Sequence, residues 1–255
     1  MRRRVLQLLV VSCLVALAGC SGALTDGGGA GERTLDDVGY PAGVSENGTN
    51  VSALAAAHES YLQNRSLTLE VSSTVNTSAG NRSVALDAAV GADRDNVLVD
   101  GTTMGQQVSV YLTPDRQFTR IAGGSGEAAY RATNRTPGAA QLVPSSYSGA
   151  GYLDQFGGAA NFTPTGVRTV DGTPLVVLRA DGSNATATPA ANVTDYEATM
   201  LVDEHGVVRS VTVEATSERD GQQIGTNYSL NVSDVGETTV EAPAWLDEAK
   251  NQTSN

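Results

Sequence analysis

Residues 67–90 read LTLEVSSTVNTSAGNRSVALDAAV. Leu67, Leu69, Val71, Ser73 and Val75 alternate with Thr68, Glu70, Ser72 and Thr74, and after a turn over Asn76 to Asn81 the alternation resumes at Val84, Leu86, Ala88 and Val90. Successive side chains of a strand point to opposite faces, so each run is a strand with one apolar and one solvated face. The short connection makes the two an antiparallel hairpin.

Upstream the period changes. Leu54, Ala57, His58, Tyr61 and Leu62 recur at three- and four-residue steps behind Asn50 or Ser52 as a cap, which predicts a helix ending near Asn64 and lying against the sheet. Downstream, further strands are expected at Asn96 to Asp100, Gln107 to Thr113, Gln117 to Ala122, Val167 to Val170, Leu175 to Ala180, Tyr196 to Val202, Val207 to Ser217 and Gly225 to Val232. Turn signals TPDR, DGTP, DEHG and RDGQ separate neighbours and imply antiparallel pairing. Ala139 to Val143 and Ser148 to Phe156 read as short helices, the second weakened by Gly149, Gly151 and Gly157. PAWLDEAKN near the C-terminus reads as a last helical turn, with Trp245 and Leu246 closing an edge. The expected class is α+β: one long antiparallel meander with a few helices on one face, forming a single domain over residues 50–250 before a disordered tail at 251–255. A domain of about two hundred residues buries about 70% of its unfolded surface, enough for a core without disulfides.

The amino terminus reads as an export signal. Arg2, Arg3 and Arg4 precede an apolar stretch from Val5 to Leu17 that is too short for an ordinary membrane span, and Leu17-Ala18-Gly19-Cys20 follows. This resembles a lipobox, which implies that residues 1–19 are a removed signal peptide and that Cys20 carries a lipid anchor to the membrane. The arginine pair with Val5-Leu6 suits the twin-arginine route, although Met1 stands where that pattern prefers Ser or Thr, so the general route stays open. The only cysteines are Cys13 and Cys20, which leaves the mature chain no disulfide. Residues 20–49, including GALTDGGGAGE, read as a lipidated cysteine and a flexible spacer of about 30 Å, with Leu35, Val38, Tyr40 and Pro41 placed to touch the domain.

Asparagine usage gives the same address. Asn47, Asn50, Asn64, Asn76, Asn81, Asn134, Asn161, Asn184, Asn192, Asn227, Asn231 and Asn251 each open an Asn-x-Ser/Thr triplet, while only Asn96 and Asn255 do not. With Ser and Thr at about a fifth of residues, chance would supply about two or three such triplets. They are therefore glycosylation candidates, and each should be exposed. The formal charge is −12 with Lys250 the single lysine, a balance that disfavours nucleic acid, whose binders need a basic footprint. Such self-repulsion is screened in molar salt, where the Debye length falls to about 3 Å. Anchor, acceptors and acidity together resemble a haloarchaeal lipoprotein on the extracellular face of the cell membrane.

The order of elements, the YLTP strand end at residues 111–114, the DEHGV turn at 203–207 and the closing Trp245 resemble the lipoprotein-carrier fold of periplasmic proteins and mycobacterial glycolipid carriers. That resemblance implies a curved, half-barrel-like sheet wrapped around helices, with an apolar cleft for acyl chains. Tyr61, Tyr111, Phe118 and Tyr130 are the candidate cleft residues, although such aromatics are more often plain core, by about three to one.

Catalytic chemistry has no constellation. The two histidines are His58 on the helix and His205 in a turn, and Ser125 in GGSGE lacks the final glycine of a nucleophile elbow, Glu127 standing there instead. Asp93, Asp95, Asn96 and Asp100 offer oxygens near one another, but Val97 interrupts a calcium-loop pattern; Asp203, Glu204 and His205 read as a polar turn. No cofactor or metal is expected. Three functions remain: a binding module for a hydrophobic ligand, a non-enzymatic structural protein whose partners are other envelope proteins, and an extracytoplasmic enzyme, which has no constellation of residues behind it.

Overall fold

A computed structural model describes residues 33–123, 127–135, 148–151, 153, 160–182, 192–219 and 221–253. In chain order the elements are α1 (Leu35–Val38), β1 (Val44–Ser45), β2 (Gly48–Thr49), α2 (Val51–Leu62), β3 (Leu67–Thr77), β4 (Gly80–Val90), β5 (Val97–Thr103), β6 (Gln106–Leu112), β7 (Arg116–Ala122), β8 (Ala129–Asn134), β9 (Thr163–Val170), β10 (Thr173–Asp181), β11 (Asn192–Val202), β12 (Val208–Arg219), β13 (Gln222–Ser233) and α3 (Leu246–Gln252).

The hairpin of residues 67–90 is the centre of the sheet. β3 and β4 pair from Leu67↔Val90 to Thr77↔Gly80, so the ladder continues through the expected turn and sets Asn76 directly opposite Asn81. Eleven strands form one sheet in the order β8, β7, β6, β5, β4, β3, β13, β12, β11, β10, β9. Each neighbouring pair is antiparallel. Two meanders, β3 to β8 and β9 to β13, are thus joined by the pairing of β3 with β13, where Leu69 meets Val232 and Val71 meets Leu230. The sheet is a curved half-barrel and does not close, β8 and β9 being its edges.

Period-two patterning puts the main core on one face, called inner here. Leu67, Leu69, Val71, Ala88, Val90, Val97, Met200, Val202, Val211, Leu230 and Val232 are all buried there. Helix α2 supplies the cover. Asn50 caps it by accepting from the Ala53 N–H at 3.0 Å, and its buried stripe is Leu54, Ala55, His58 and Leu62. Burying Leu54 and Leu62 fully contributes about 1.5–3 kcal/mol apiece. Its far end is closed by Arg94 of the β4–β5 turn, whose guanidinium donates to the carbonyls of Leu62 (2.8 Å) and Arg65 (2.9 Å), and by Asn64 in the left-handed region (φ 61°). The orphan carbonyls of a helix end are satisfied in this way.

Three boundaries differ from the sequence reading. The compact unit begins at Arg33, because Leu35 and Val38 of α1 pack on the core and Pro41 is buried within the segment read as spacer. Strand β8 was not foreseen: it is an edge, with Ala129, Arg131 and Thr133 on one face and Tyr130 and Ala132 on the other, so no apolar alternation announces it. Helix α3 runs through Asn251 and Gln252 into the expected tail. Residues 1–32 with Cys20, the segment Ala139 to Val143, and Ser125 lie outside the described residues, as do Tyr152 and residues 154–156 of the segment Ser148 to Phe156, in which Ser148, Ala150, Gly151 and Leu153 have helical backbone.

Candidate functional site

Across β3 to β7 the inner face has two ends of different character. At the end under α2, Leu67, Val90, Val97 and Leu112 are 0–1% exposed and fill the core. Toward the opposite end the inner positions remain aliphatic but are only half-buried: Val75 on β3, Val84 and Leu86 on β4, Val99 on β5, and Val108 and Val110 on β6. Ile121 on β7 is 41% exposed. Register aligns them into cross-strand rows, Ile121↔Val108↔Gly101↔Leu86 and Thr119↔Val110↔Val99↔Ala88. The rows lead to a pocket of about 450 Å³ at the β7–β8 edge, lined by Gln117, Thr119, Ile121, Ala129, Tyr130, Arg131 and Thr133. Ligand pockets of proteins typically span about 300–1,000 Å³ and are mostly apolar with a few polar groups.

The four sequence candidates do not form one wall. Tyr111 and Phe118 are cross-strand partners on the outer face, buried under Leu246 and Ala249 of α3. Tyr130 joins them through Trp245, at a ring distance of 6.3 Å, and through its hydroxyl, which donates to Glu248 at 2.9 Å while the residue also borders the pocket. The Trp245 indole N–H donates to Ser109 Oγ at 3.0 Å, and Ser109 donates to Asp100. This outer cluster fastens the C-terminal helix to the sheet. Tyr61 lies apart on α2, stacked 4.5 Å from the His205 ring, with the Arg65 guanidinium 4.0 Å from its centroid. The inner aliphatic rows are on the opposite face of β6 and β7 from Tyr111 and Phe118.

The remaining polar candidates have structural partners. Asp203 accepts from the His205 and Val207 amides at 3.0 and 2.9 Å and pairs with Arg209 at 2.8 Å, so its carboxylate builds the β11–β12 turn. Asp93 accepts from the Asp95 amide at 3.0 Å within its own turn. Among the described residues no group of three His, Cys, Asp or Glu is placed to hold a metal. His58 is engaged at both ring nitrogens by main chain, and burial holds its pKa below the usual imidazole range, against the raising effect of the Ser148 carbonyl. Burial likewise pushes the phenol of Tyr196, on the inner face of β11, up to about 12, so that it stays neutral.

Most asparagines of the Asn-x-Ser/Thr triplets are exposed among the described residues. Asn47, Asn50, Asn64, Asn81, Asn134, Asn161, Asn227, Asn231 and Asn251 are exposed and Asn76 is half-buried; Asn184 and the side chain of Asn192 lie outside the described residues. Asn227 and Asn231 share the outer face of β13, opposite Thr74 and Glu70 of β3. A sugar on either leaves the inner face clear. Among the described residues no helix is long and apolar enough to cross a membrane.

Comparison with solved structures finds likeness at low identity. LprF from Mycobacterium bovis is 12% identical, with a TM-score of 0.38 over 76% of this chain and 97% of that one. The lipoprotein LppX from Mycobacterium tuberculosis is 13% identical, with a TM-score of 0.36 over 74% and 99%. A LolA superfamily protein from Nitrosomonas europaea is 9% identical, with a TM-score of 0.28 over 76% and 94%. No curated protein matches the chain. One family profile, by contrast, runs over residues 4–249 and so takes in the signal-like start, the sheet and most of α3: the chain belongs to the family of unknown function DUF7537.

Proposed function

We propose that the protein is a lipid-anchored, N-glycosylated module of the extracellular membrane face that receives a hydrophobic, lipid-like ligand on the inner face of its sheet. The observation that carries this reading is the asymmetry of that face: closed core beneath α2, then a half-buried aliphatic surface from Val75 to Ile121 that opens on the edge pocket. Each methylene moved from water onto such a surface contributes about 0.8 kcal/mol, so even a partly buried acyl chain would bind measurably. Cys20 would hold the module to the membrane, with the spacer after it giving reach. Carbohydrate at Asn227 and Asn231 would keep the outer face in water, which makes the inner face the route of binding. No catalytic step is proposed.

The alternative, a structural protein of the envelope, draws on the polar outer face of β3 and β13, where Ser72 and Ser229 share a hydrogen bond at 2.8 Å beside the acceptor asparagines. Native mass spectrometry of the full protein, purified from its membrane without detergent exchange, separates the two. A lipid-sized adduct near one per chain is expected. Its repeated absence would favour the envelope role.

A further inference from the structure

In a chain of formal charge −12, acidic side chains should crowd every solvated surface, yet the sheet partitions them. By register every strand Asp and Glu, from Glu70, Asp87 and Asp100 to Glu197, Glu214 and Glu218, lies on the outer face. Among the described strand residues the inner face carries none. Away from the bulge at Arg209, its charged positions are all arginine: Arg82, Arg131 and Arg219. Random placement of an acid-rich composition would not give this. An inner face meant only for neutral hydrocarbon gains nothing from cations, whereas an anionic group entering there meets no like charge from the strands.

Arg131 is the cation placed to act. It lines the edge pocket with Gln117, Thr119 and Thr133, so the pocket rim offers donors, while Ile121 begins the apolar rows. Register carries a line inward from Arg131 through Thr119 and Val110 to Val99. That line crosses three strand spacings of about 4.8 Å, or about 14 Å. Half of a bilayer's hydrocarbon core, the span of one leaflet's chains, is about 15 Å. Head and tail of a membrane lipid therefore fit the line in one direction.

We infer that the ligand is an anionic lipid, its carboxylate or phosphate headgroup held by Arg131 in the β7–β8 edge pocket and its chain laid across Val110 and Val99. This rests on the binding function proposed above and adds the charge and the orientation of the ligand. The pocket is open to water, so the ion pair supplies selectivity and the hydrocarbon supplies most of the affinity.

The test is a fluorescence titration of the full chain with a dansyl-labelled long-chain fatty acid and, in parallel, its methyl ester, at about 0.1 M salt, where the screening length is about 10 Å. The wild-type chain should prefer the acid by about fivefold, the upper range for an exposed ion pair. Arg131→Gln should erase that preference by weakening the acid about fivefold more than the ester, and Ile121→Ser should weaken both probes alike. Arg131 is on the edge strand β8 and Ile121 is 41% exposed on its neighbour β7, and unchanged melting temperatures would show that folding is intact. Equal binding of acid and ester by the wild-type chain, or a preference that survives Arg131→Gln, would overturn the inference and leave the hydrophobic site standing. Binding of neither probe would overturn the binding function itself.

Discussion

Alanine at position 58 should destabilise the fold by about 3–5 kcal/mol, the sum of two stranded main-chain groups at about 1–3 kcal/mol each and a cavity. His58 is 0% exposed. Its Nδ1 accepts from the Val208 amide at 3.1 Å, which fixes the proton on Nε2, and that N–H donates to the Ser148 carbonyl at 2.6 Å. One ring thus ties α2 to the start of β12 and to the segment at Ser148. A chemical denaturation curve of His58→Ala should shift its midpoint strongly at unchanged slope; a change under about 1 kcal/mol would mean that the ring is not a tie.

The same geometry sets a pH dependence. Burial lowers the His58 pKa from 6.5, with the Ser148 carbonyl and Asp203 opposing and Arg209 reinforcing the shift. The unfolded chain therefore binds a proton that the folded chain refuses, and stability falls as pH drops below about 6.5, continuing until the folded pKa is reached. Protonation would also turn Nδ1 into a donor facing the Val208 amide. Wild-type melting temperature should decline across this window more steeply than that of His58→Ala.

A second large effect is expected at Gly101, on the inner face of β5 between Val99 and Thr103. A Cβ there would stand 2.1 Å from the Ala85 carbonyl oxygen and 2.9 Å from the Leu86 Cα, main-chain atoms that have no rotamer to escape into. Gly101→Ala must push β5 from β4, at a cost of about 3 kcal/mol, the high end for overpacking. For a domain of this size that lowers Tm by about 10 °C. Because Gly101 lies in the row between Val108 and Leu86, hydrophobic ligand affinity should fall as well. Gly166, which has nothing within 4 Å of its built Cβ and no positive φ, is the control: Gly166→Ala should stay within about 0.5 kcal/mol of the parent. Equal melting of the two variants would contradict the close β4–β5 approach.

What the sequence disclosed follows from what is local. Leu67 to Val90 shows a hairpin because one face of each strand is buried, and α2 shows because its cap and stripe lie within a dozen residues. The union of β3 with β13 left no such trace, since Leu69 and Val232 are brought together only by the folded sheet. On β6 the pattern is ambiguous in itself. Val108, Val110 and Leu112 occupy one face and Tyr111 the other, and only the packing of Leu246 and Ala249 over Tyr111 decides which face α3 covers. The choice of large aromatics for a cleft followed residue size, whereas the half-buried surface is built from valine, leucine and isoleucine.

The central claim is that hydrophobic ligand meets the inner face and avoids the outer one. The only cysteines are Cys13 and Cys20, so a chain beginning after Cys20 can carry a single introduced thiol. Ile121→Cys on the inner face and Asn227→Cys on the outer face, each labelled with a polarity-sensitive fluorophore, should respond differently when a long-chain fatty acid is added. A saturable blue shift at position 121 with none at 227 is the predicted result. No shift at 121, or a matching shift at 227, would contradict the account.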